Sequence, residues 1–478
     1  MTDGHEDHIC QDLERKKDEL CQISDFIWDH AEIGFAEFNS MQMLIQALEQ
    51  ENFHVEAGLA GMETAFKGVW GSGHPIVGFL GEYDALAGMN QKSMYTTPEA
   101  EIADAPGHGC GHNLLGTGSL GAAVALKDYI AEHNLTGTVV YLGCPAEETG
   151  CGKVFMARAG IFDDLDIALT WHPGTSNRVI TNSTLANCMM VFRFKGISAH
   201  AAAAPHAGRS ALDAAELFNV GVQFLREHIP DSSRIHYAFL DVGGQAPNVV
   251  QNSAALYYDI RAPKNNMVRE LCPRVVRVAE GAALMTETNV SVEVTSAMSD
   301  YVANSILSRL MGETMQELGP IPFSPESLRF AEEMSKHFGT EELDRAAQTL
   351  NDCFDPDKSK ELAQKCLHAE PFPYIEQNSC TPISTDVGDV SYIVPTAQCY
   401  VATWAFGTQL HSWQAVAQGK SSIAHEGMIY AAKVMACTAA KIIDDPALLN
   451  AIQQEHHQKA GKYICPLSEN VEPQIVKS

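Results

Sequence analysis

Apolar positions recur at helical spacing early in the chain. Ile23, Phe26 and Ile27 precede His30, and Met41, Leu44, Ile45 and Leu48 follow, which predicts helix across much of residues 8–50. The pattern then shortens. An apolar run at 76–80 predicts a buried strand and ends in Gly81, Glu82, Tyr83 and Asp84. Residues 114–130 predict a helix with small residues on its packing face. A β-branched run at 138–142 predicts a second strand, ending in Gly143, Cys144, Pro145, Ala146, Glu147 and Glu148; residues 167–170 predict a third, ending in Trp171, His172 and Pro173. Strands alternating with helices imply an α/β fold with a mainly parallel sheet. Sites in such sheets form beyond the carboxyl ends of the strands. Glu82, Asp84, Glu147, Glu148 and His172 all fall at those ends.

Near residue 186 the character changes. Residues 189–195 alternate like a half-exposed strand, and a helix is predicted over 210–226. Strand-like segments at 235–240 and 254–260, a helix at 267–284 and a strand at 290–294 complete the order β-α-β-β-α-β, a ferredoxin-like α+β unit. The expected organisation is a discontinuous first domain, residues 1–186 and 299–478, with residues 187–298 inserted into it. Residues 319–378 are polar and loop-rich, with charged helical pieces such as 326–337, and are expected to form a surface elaboration. Strand character returns at 399–402, followed by the loop that holds His411 and a helix from about 425 to 443.

Composition narrows the function. With 32 Lys+Arg against 60 Asp+Glu the formal net charge is −28, which repels nucleic acid and anionic membranes, so neither is expected as a partner. No stretch approaches 18 uninterrupted apolar residues, and the polar start of the chain has no signal-peptide run, so a cytoplasmic protein is expected. Thirteen scattered cysteines in such a chain predict reduced thiols.

The chemistry lies in short constellations. Cys110 and His112 stand two apart in a turn with glycines on both sides of the cysteine, so both can face one ion, and thiolate with imidazole suits zinc and similar metals. Taken alone, that turn is equally a Gly-rich bend with a buried cysteine. Glu147 and Glu148 follow a strand; in a turn one can bind metal while the other carries protons, whereas a pair alone is usually a solvated loop tip. His172 is a further ligand-type residue at a strand end, and His411 by itself is uninformative. Gly116 to Gly121 match G-x-G-x-x-G, but no apolar strand precedes them and their spacing fits a closely packed helix, which argues against a nucleotide-dependent oxidoreductase. His425, opening a helix, is expected to be structural.

Taken together, these stretches resemble a family of dinuclear metallohydrolases that includes aminoacylases, carboxypeptidase G and plant hydrolases of auxin–amino acid conjugates. The resemblance rests on GEYDALAG (81–88), GHGCGHNLLGT (107–117), GCPAEETG (143–150), TWHP (170–173), FKGISAHAAAAPHAGRSALDA (194–214), NVV (248–250), YDIRAP (258–263), STDVGDVS (384–391) and LHSW (410–413). It implies a metal-dependent amidohydrolase binding two divalent ions, Mn or Zn, with Co a further choice. Cys110, His112, Glu148, His172 and His411 would be the ligands, and Glu147 the base and then the acid. His200 would stabilise the oxyanion in the neighbouring subunit's site, Asn248 and Arg261 would hold the substrate carboxylate, and Asp84 would support the site. The inserted unit would act as lid and homodimer contact. The most similar branch acts on p-aminobenzoyl-glutamate and has a sister A-type subunit, which implies a small N-acyl amino acid substrate. Hippurate-type or auxin-conjugate-type substrates, or a non-catalytic metal-binding partner subunit, are the alternatives. Many relatives carry His where this chain has Glu82, so that ligand is either replaced or absent.

Overall fold

A computed structural model describes residues 5–377 and 379–474. Helices α1 (His5–Asp29) and α2 (Phe38–Gln50) lead into strands β1 (His54–Ala57), β2 (Phe66–Ser72) and β3 (Ile76–Glu82). Helix α3 (His112–Glu132), β4 (Gly137–Cys144), α4 (Gly152–Arg158), β5 (Ile167–Gly174), β6 (Arg178–Ile180) and the short β7 (Ser183–Thr184) follow. The next segment comprises β8 (Ala186–Lys195), α5 (Ala211–Arg226), β9 (Arg234–Asp241), β10 (Ser253–Ala262), α6 (Asn265–Thr286) and β11 (Asn289–Met298). The chain continues through α7 (Ser305–Leu318), α8 (Pro325–Ser335), α9 (Thr340–Asn351), α10 (Pro356–Leu362), β12 (Cys380–Thr381), α11 (Val387–Ile393) and β13 (Thr396–Ala402). It closes with α12 (Trp413–Gln418), α13 (Ser422–Asp444) and α14 (Pro446–Lys459).

The main sheet has seven strands in the order β1-β2-β4-β3-β5-β13-β6. Its four central strands, β4, β3, β5 and β13, are mutually parallel, and β1, β2 and β6 add antiparallel edges. Parallel strands covered on both faces carry apolar side chains on both faces, and β4 is buried along its whole length. Helices α1, α3 and α13 share one core with the sheet. Helix α3 is buried almost all round, which is why its apolar residues show little helical stripe.

Within α3 the glycine pattern serves packing. A Cβ at Gly116 would come within 2.6 Å of the Glu82 carbonyl oxygen, and one at Gly118 within 2.8 Å of the Trp171 indole. The G-x-G-x-x-G stretch therefore lies inside a helix that hugs β3 and β5, away from any phosphate-facing turn. Residues 186–298 form a separate four-stranded antiparallel sheet, β11-β8-β10-β9, with α5 and α6 packed on each other and on that sheet. Phe192, Phe218 and Tyr258 cluster under those helices with ring centroids 4.6–5.3 Å apart.

Residues 319–377 carry more regular structure than a loop-rich elaboration. They carry α8, α9 and α10, and Phe330, Met334, Phe338 and Leu367 bury against Ala405, Ala417 and Ile423. They thereby support the segment that presents His411. Among the described residues no helix is long and apolar enough to cross a membrane. Among the described residues none of the thirteen cysteines forms a disulfide.

Candidate metal centre

The carboxyl ends of β3, β4, β5 and β13 open on one cavity of about 300 Å³, lined by Cys110, Glu147, Glu148, His172, Tyr400 and His411 among others. Each ligand-type side chain is delivered by its own backbone device. Gly111, in the left-handed region at φ +77°, turns the chain into α3 and places Cys110 and His112 on either side of itself. After β4, Ala146 takes φ +55°, and its N–H is held by the buried Glu37 carboxylate at 2.8 Å. That turn sends both Glu147 and Glu148 inward. His172 lies within β5, which runs on through Gly174 past the expected end at residue 170. His411 has φ +56°, uncommon for a residue with a side chain, and its N–H is bonded to the Gly109 carbonyl at 2.9 Å.

These devices converge on two overlapping donor sets. In Cys110, His112 and His172, and again in Cys110, Glu148 and His411, the donor atoms all lie within 4.8 Å of one another. Cys110 belongs to both, its Sγ 3.3 Å from His172 Nε2. Glu148 is 3.3 Å from His411 Nε2 through one oxygen and 3.9 Å from His112 Nε2 through the other. The imidazoles are aimed by their other nitrogens. His172 Nδ1 donates to the Pro173 carbonyl at 2.7 Å, and His112 Nδ1 meets Asp84 at 2.8 Å. The second Asp84 oxygen accepts the Glu148 N–H at 2.9 Å, so one carboxylate orients two candidate ligands.

The donors fit a cation on three counts. The inner Glu148 oxygen is buried without a hydrogen-bond partner, and His112 Nε2 makes no hydrogen bond although a Glu82 oxygen stands 3.2 Å away; buried groups of this kind are costly to leave unmet. The donor set of sulfur, imidazole and carboxylate is the one zinc-like ions take. Burial first, and the Glu148 charge second, push the Cys110 thiol well above its ordinary range, so a thiolate there needs a positive charge beside it. For His112, burial opposes charge, but Cys110 and Asp84 outweigh it and hold the imidazole above its usual value. Burial also opposes an ionised Glu148, yet the His411 hydrogen bond and His112 keep its carboxyl below the ordinary range.

Glu147 differs from its neighbour. Burial, then the charges of Glu82, Glu148 and Asp386, push its carboxyl well above the ordinary range, so adjacent glutamates are driven apart in proton affinity. Glu147 also groups with Glu82 and His112.

Sequence reasoning left two partners of this cluster unidentified. Lys153, fully buried on α4, lies 2.7 Å from Glu82 and 2.5 Å from Asp386. The other Glu82 oxygen is 3.2 Å from His112 Nε2. Burial raises the cost of ionising Glu82, but Lys153 and His112 prevail and hold its carboxyl below its usual range. Asp386 sits in the matched stretch 384–391, but neither it nor Lys153 has a local spacing that announces the pair.

The remaining candidates lie elsewhere. His108 is buried and bonded through Nε2 to the Ile27 carbonyl at 3.1 Å, as a structural histidine. His425 pairs with Asp25 at 2.8 Å. His200 and Asn248 are exposed on the 186–298 unit, tied by the Ala201 N–H to the Asn248 carbonyl at 2.9 Å. Arg261 is paired with Asp259 at 2.5 Å. None of these three lines the cavity of the same chain.

The model of peptidase family M20/M25/M40 matches residues 78–369. The chain is 42% identical over 471 residues to the B-type subunit of p-aminobenzoyl-glutamate hydrolase from Escherichia coli (strain K12), covering 97% of this chain and 98% of that one. It is 28% identical to the Xaa-Arg dipeptidase of Mus musculus, covering 93% and 90%. Among solved structures, a putative aminohydrolase from methicillin-resistant Staphylococcus aureus superposes with a TM-score of 0.63 at 16% identity, over 92% of this chain and 99% of that one. A dinuclear metal-binding peptidase of Bacillus subtilis does so with a TM-score of 0.57 at 15% identity, over 89% and 99%. At these identities the structural likeness is one of fold.

Proposed function

The chain belongs to peptidase family M20/M25/M40, and from that membership we propose that it is a metal-dependent amidohydrolase cleaving p-aminobenzoyl-glutamate or a similar N-acyl amino acid. The observation that carries the reading is the pair of donor sets joined at Cys110, with the Glu147 carboxyl facing the same cavity. Cys110, His112, Glu148, His172 and His411 would hold two divalent ions, Mn or Zn. Such ions, when bound, would supply polarisation of an amide carbonyl and a more acidic water.

The protein's own groups do the rest. Glu147 takes the proton of the attacking water on its carboxylate and returns it to the amide nitrogen as the C–N bond breaks. Its raised proton affinity suits the holding stage between those transfers. Asp84 and the Pro173 carbonyl fix the two imidazoles, so little reorganisation is needed when substrate arrives.

Residues 187–298 form, in this reading, a ferredoxin-like lid and dimer contact inserted into a catalytic domain of residues 1–186 and 299–478. His200 and Asn248 then serve the site of a second copy, His200 at the oxyanion and Asn248 at the substrate carboxylate; their exposure supports this. Arg261 would first have to leave Asp259. Cysteines held outside any disulfide suit a cytoplasmic location. A sister A-type subunit is a further partner, since curated relatives include both types.

The test is metal content together with glutamate release from p-aminobenzoyl-glutamate, with and without added Mn or Zn. Release only in the metal-loaded protein is expected. Bound metal with no turnover on a panel of N-acyl amino acids, alone or with an A-type subunit, would overturn the catalytic reading.

A further inference from the structure

One cation faces the same cavity as the ligand cluster. Arg178, at the start of edge strand β6, is the only Lys or Arg lining it among the described residues. The protein carries a formal charge of −28, so an arginine has many carboxylates to choose from. Yet no hydrogen bond or ion pair meets this guanidinium among the described residues, and its Nε is buried without a partner. Arg261, by contrast, already has Asp259.

Arg178 is held in place by an aromatic ring. Its guanidinium carbon lies 5.0 Å from the centroid of Tyr400 on the neighbouring strand β13, where the two residues are register partners. Tyr400 in turn packs edge-on to His172, ring centroids 5.6 Å apart. The unpaired cation therefore stands two ring contacts from a candidate ligand, close enough for a group a few bonds from the scissile amide. The ring packs against the guanidinium, and among the described residues no hydrogen bond occupies its N–H groups, the groups that recognise a carboxylate in bidentate fashion.

We propose that Arg178 is a specificity residue that binds a free carboxylate on the amino-acid half of the substrate. The inference rests on the amidohydrolase reading above. A p-aminobenzoyl group carries no negative charge before cleavage, so the guanidinium has nothing to pair with on the acyl side. A glutamyl half offers an α- and a γ-carboxylate. A cationic amino acid such as arginine would meet like charge here, which sets this chain's substrate apart from that named for the mouse relative.

The experiment compares wild type with Arg178→Gln and Arg178→Lys, all metal-loaded. The substrates are p-aminobenzoyl-glutamate and its γ-amide and α-amide forms. Arg178→Gln is expected to raise KM for the diacid by about ten- to a hundredfold, the loss of a charge-assisted hydrogen bond, while kcat changes little. Arg178→Lys should recover part of that loss. The amide that wild type and Arg178→Gln bind equally well identifies which carboxylate the residue holds. Unchanged KM for the diacid in Arg178→Gln would overturn the proposal.

Calorimetric titration with glutamate keeps the two readings separable. If no N-acyl amino acid is cleaved, the amidohydrolase reading fails, while glutamate binding that weakens about tenfold in Arg178→Gln still supports the carboxylate site. Equal binding by both proteins, or none by wild type, overturns it.

Discussion

Glu147 and Glu148 are chemically identical neighbours with opposite environments. Glu148 faces His411 and His112, while Glu147 faces Glu82 and its own neighbour's charge. Glu147→Gln should keep its metal and lose at least about a hundredfold in kcat, the low end for a general acid–base group. Metal analysis beside steady-state kinetics checks both halves; near-normal turnover would remove Glu147 from the proton path. Lys153 bears on stability. It is the cation between two buried carboxylates, and Lys153→Met leaves Glu82 and Asp386 facing each other without it. Breaking a buried pair from one side costs about 3–5 kcal/mol. A urea melt should show that loss, and adding Asp386→Asn should recover part of it. If the double variant is no more stable than Lys153→Met, charge is not what the lysine supplies.

At the scale of elements, the site depends on how loops are propped. The segment with His411 leans on α9 and the link that precedes it through Phe338, Leu343 and a Gln414–Glu342 hydrogen bond of 3.1 Å. Gly407 permits this at φ +107°, where an added Cβ would sit 2.7 Å from the Phe338 ring. Gly407→Ala should cost about 1–3 kcal/mol of local strain and packing. That cost should appear as weaker metal binding by titration, with the sheet intact by circular dichroism; unchanged metal affinity would show that the loop tolerates the shift. The sequence made the central strands legible because buried parallel strands are short apolar runs, and their polar ends drew attention to Glu82, Glu147, Glu148 and His172. It hid the edge strand β1 and its neighbour β2, partly exposed and with weak patterns, and α4, which at seven residues is too short for a helical stripe to emerge. Cys110 with His112 was visible as spacing. Lys153, Asp386 and Arg178 were not, since each meets the site through tertiary contact alone, with no neighbour in sequence to announce it.

For the whole molecule, the two ends of the chain close on one core. Helix α1 packs against α13, and His425 on α13 pairs with Asp25 on α1 at 2.8 Å. Burial lowers the proton affinity of His425, but its bonds to Asp25 and Cys21 outweigh that and bring its pKa to about 9, against 6.5 for an ordinary histidine. A folded-state pKa raised above the unfolded one means that the folded protein holds the proton more tightly. The stabilisation is therefore complete below about pH 6.5, declines as pH rises and is gone above about pH 9. Each pKa unit corresponds to 1.36 kcal/mol, and both partners keep some contact with solvent, which reduces the net effect to about 1–2 kcal/mol. Many other groups titrate in a protein of charge −28, so the useful quantity is a difference. Between pH 6 and pH 9.5, wild type should lose about 1–2 kcal/mol more urea stability than His425→Gln, since only wild type has this proton to lose. Parallel curves for the two proteins would mean that the pair contributes no net stability and that the closure of α1 on α13 rests on apolar packing alone.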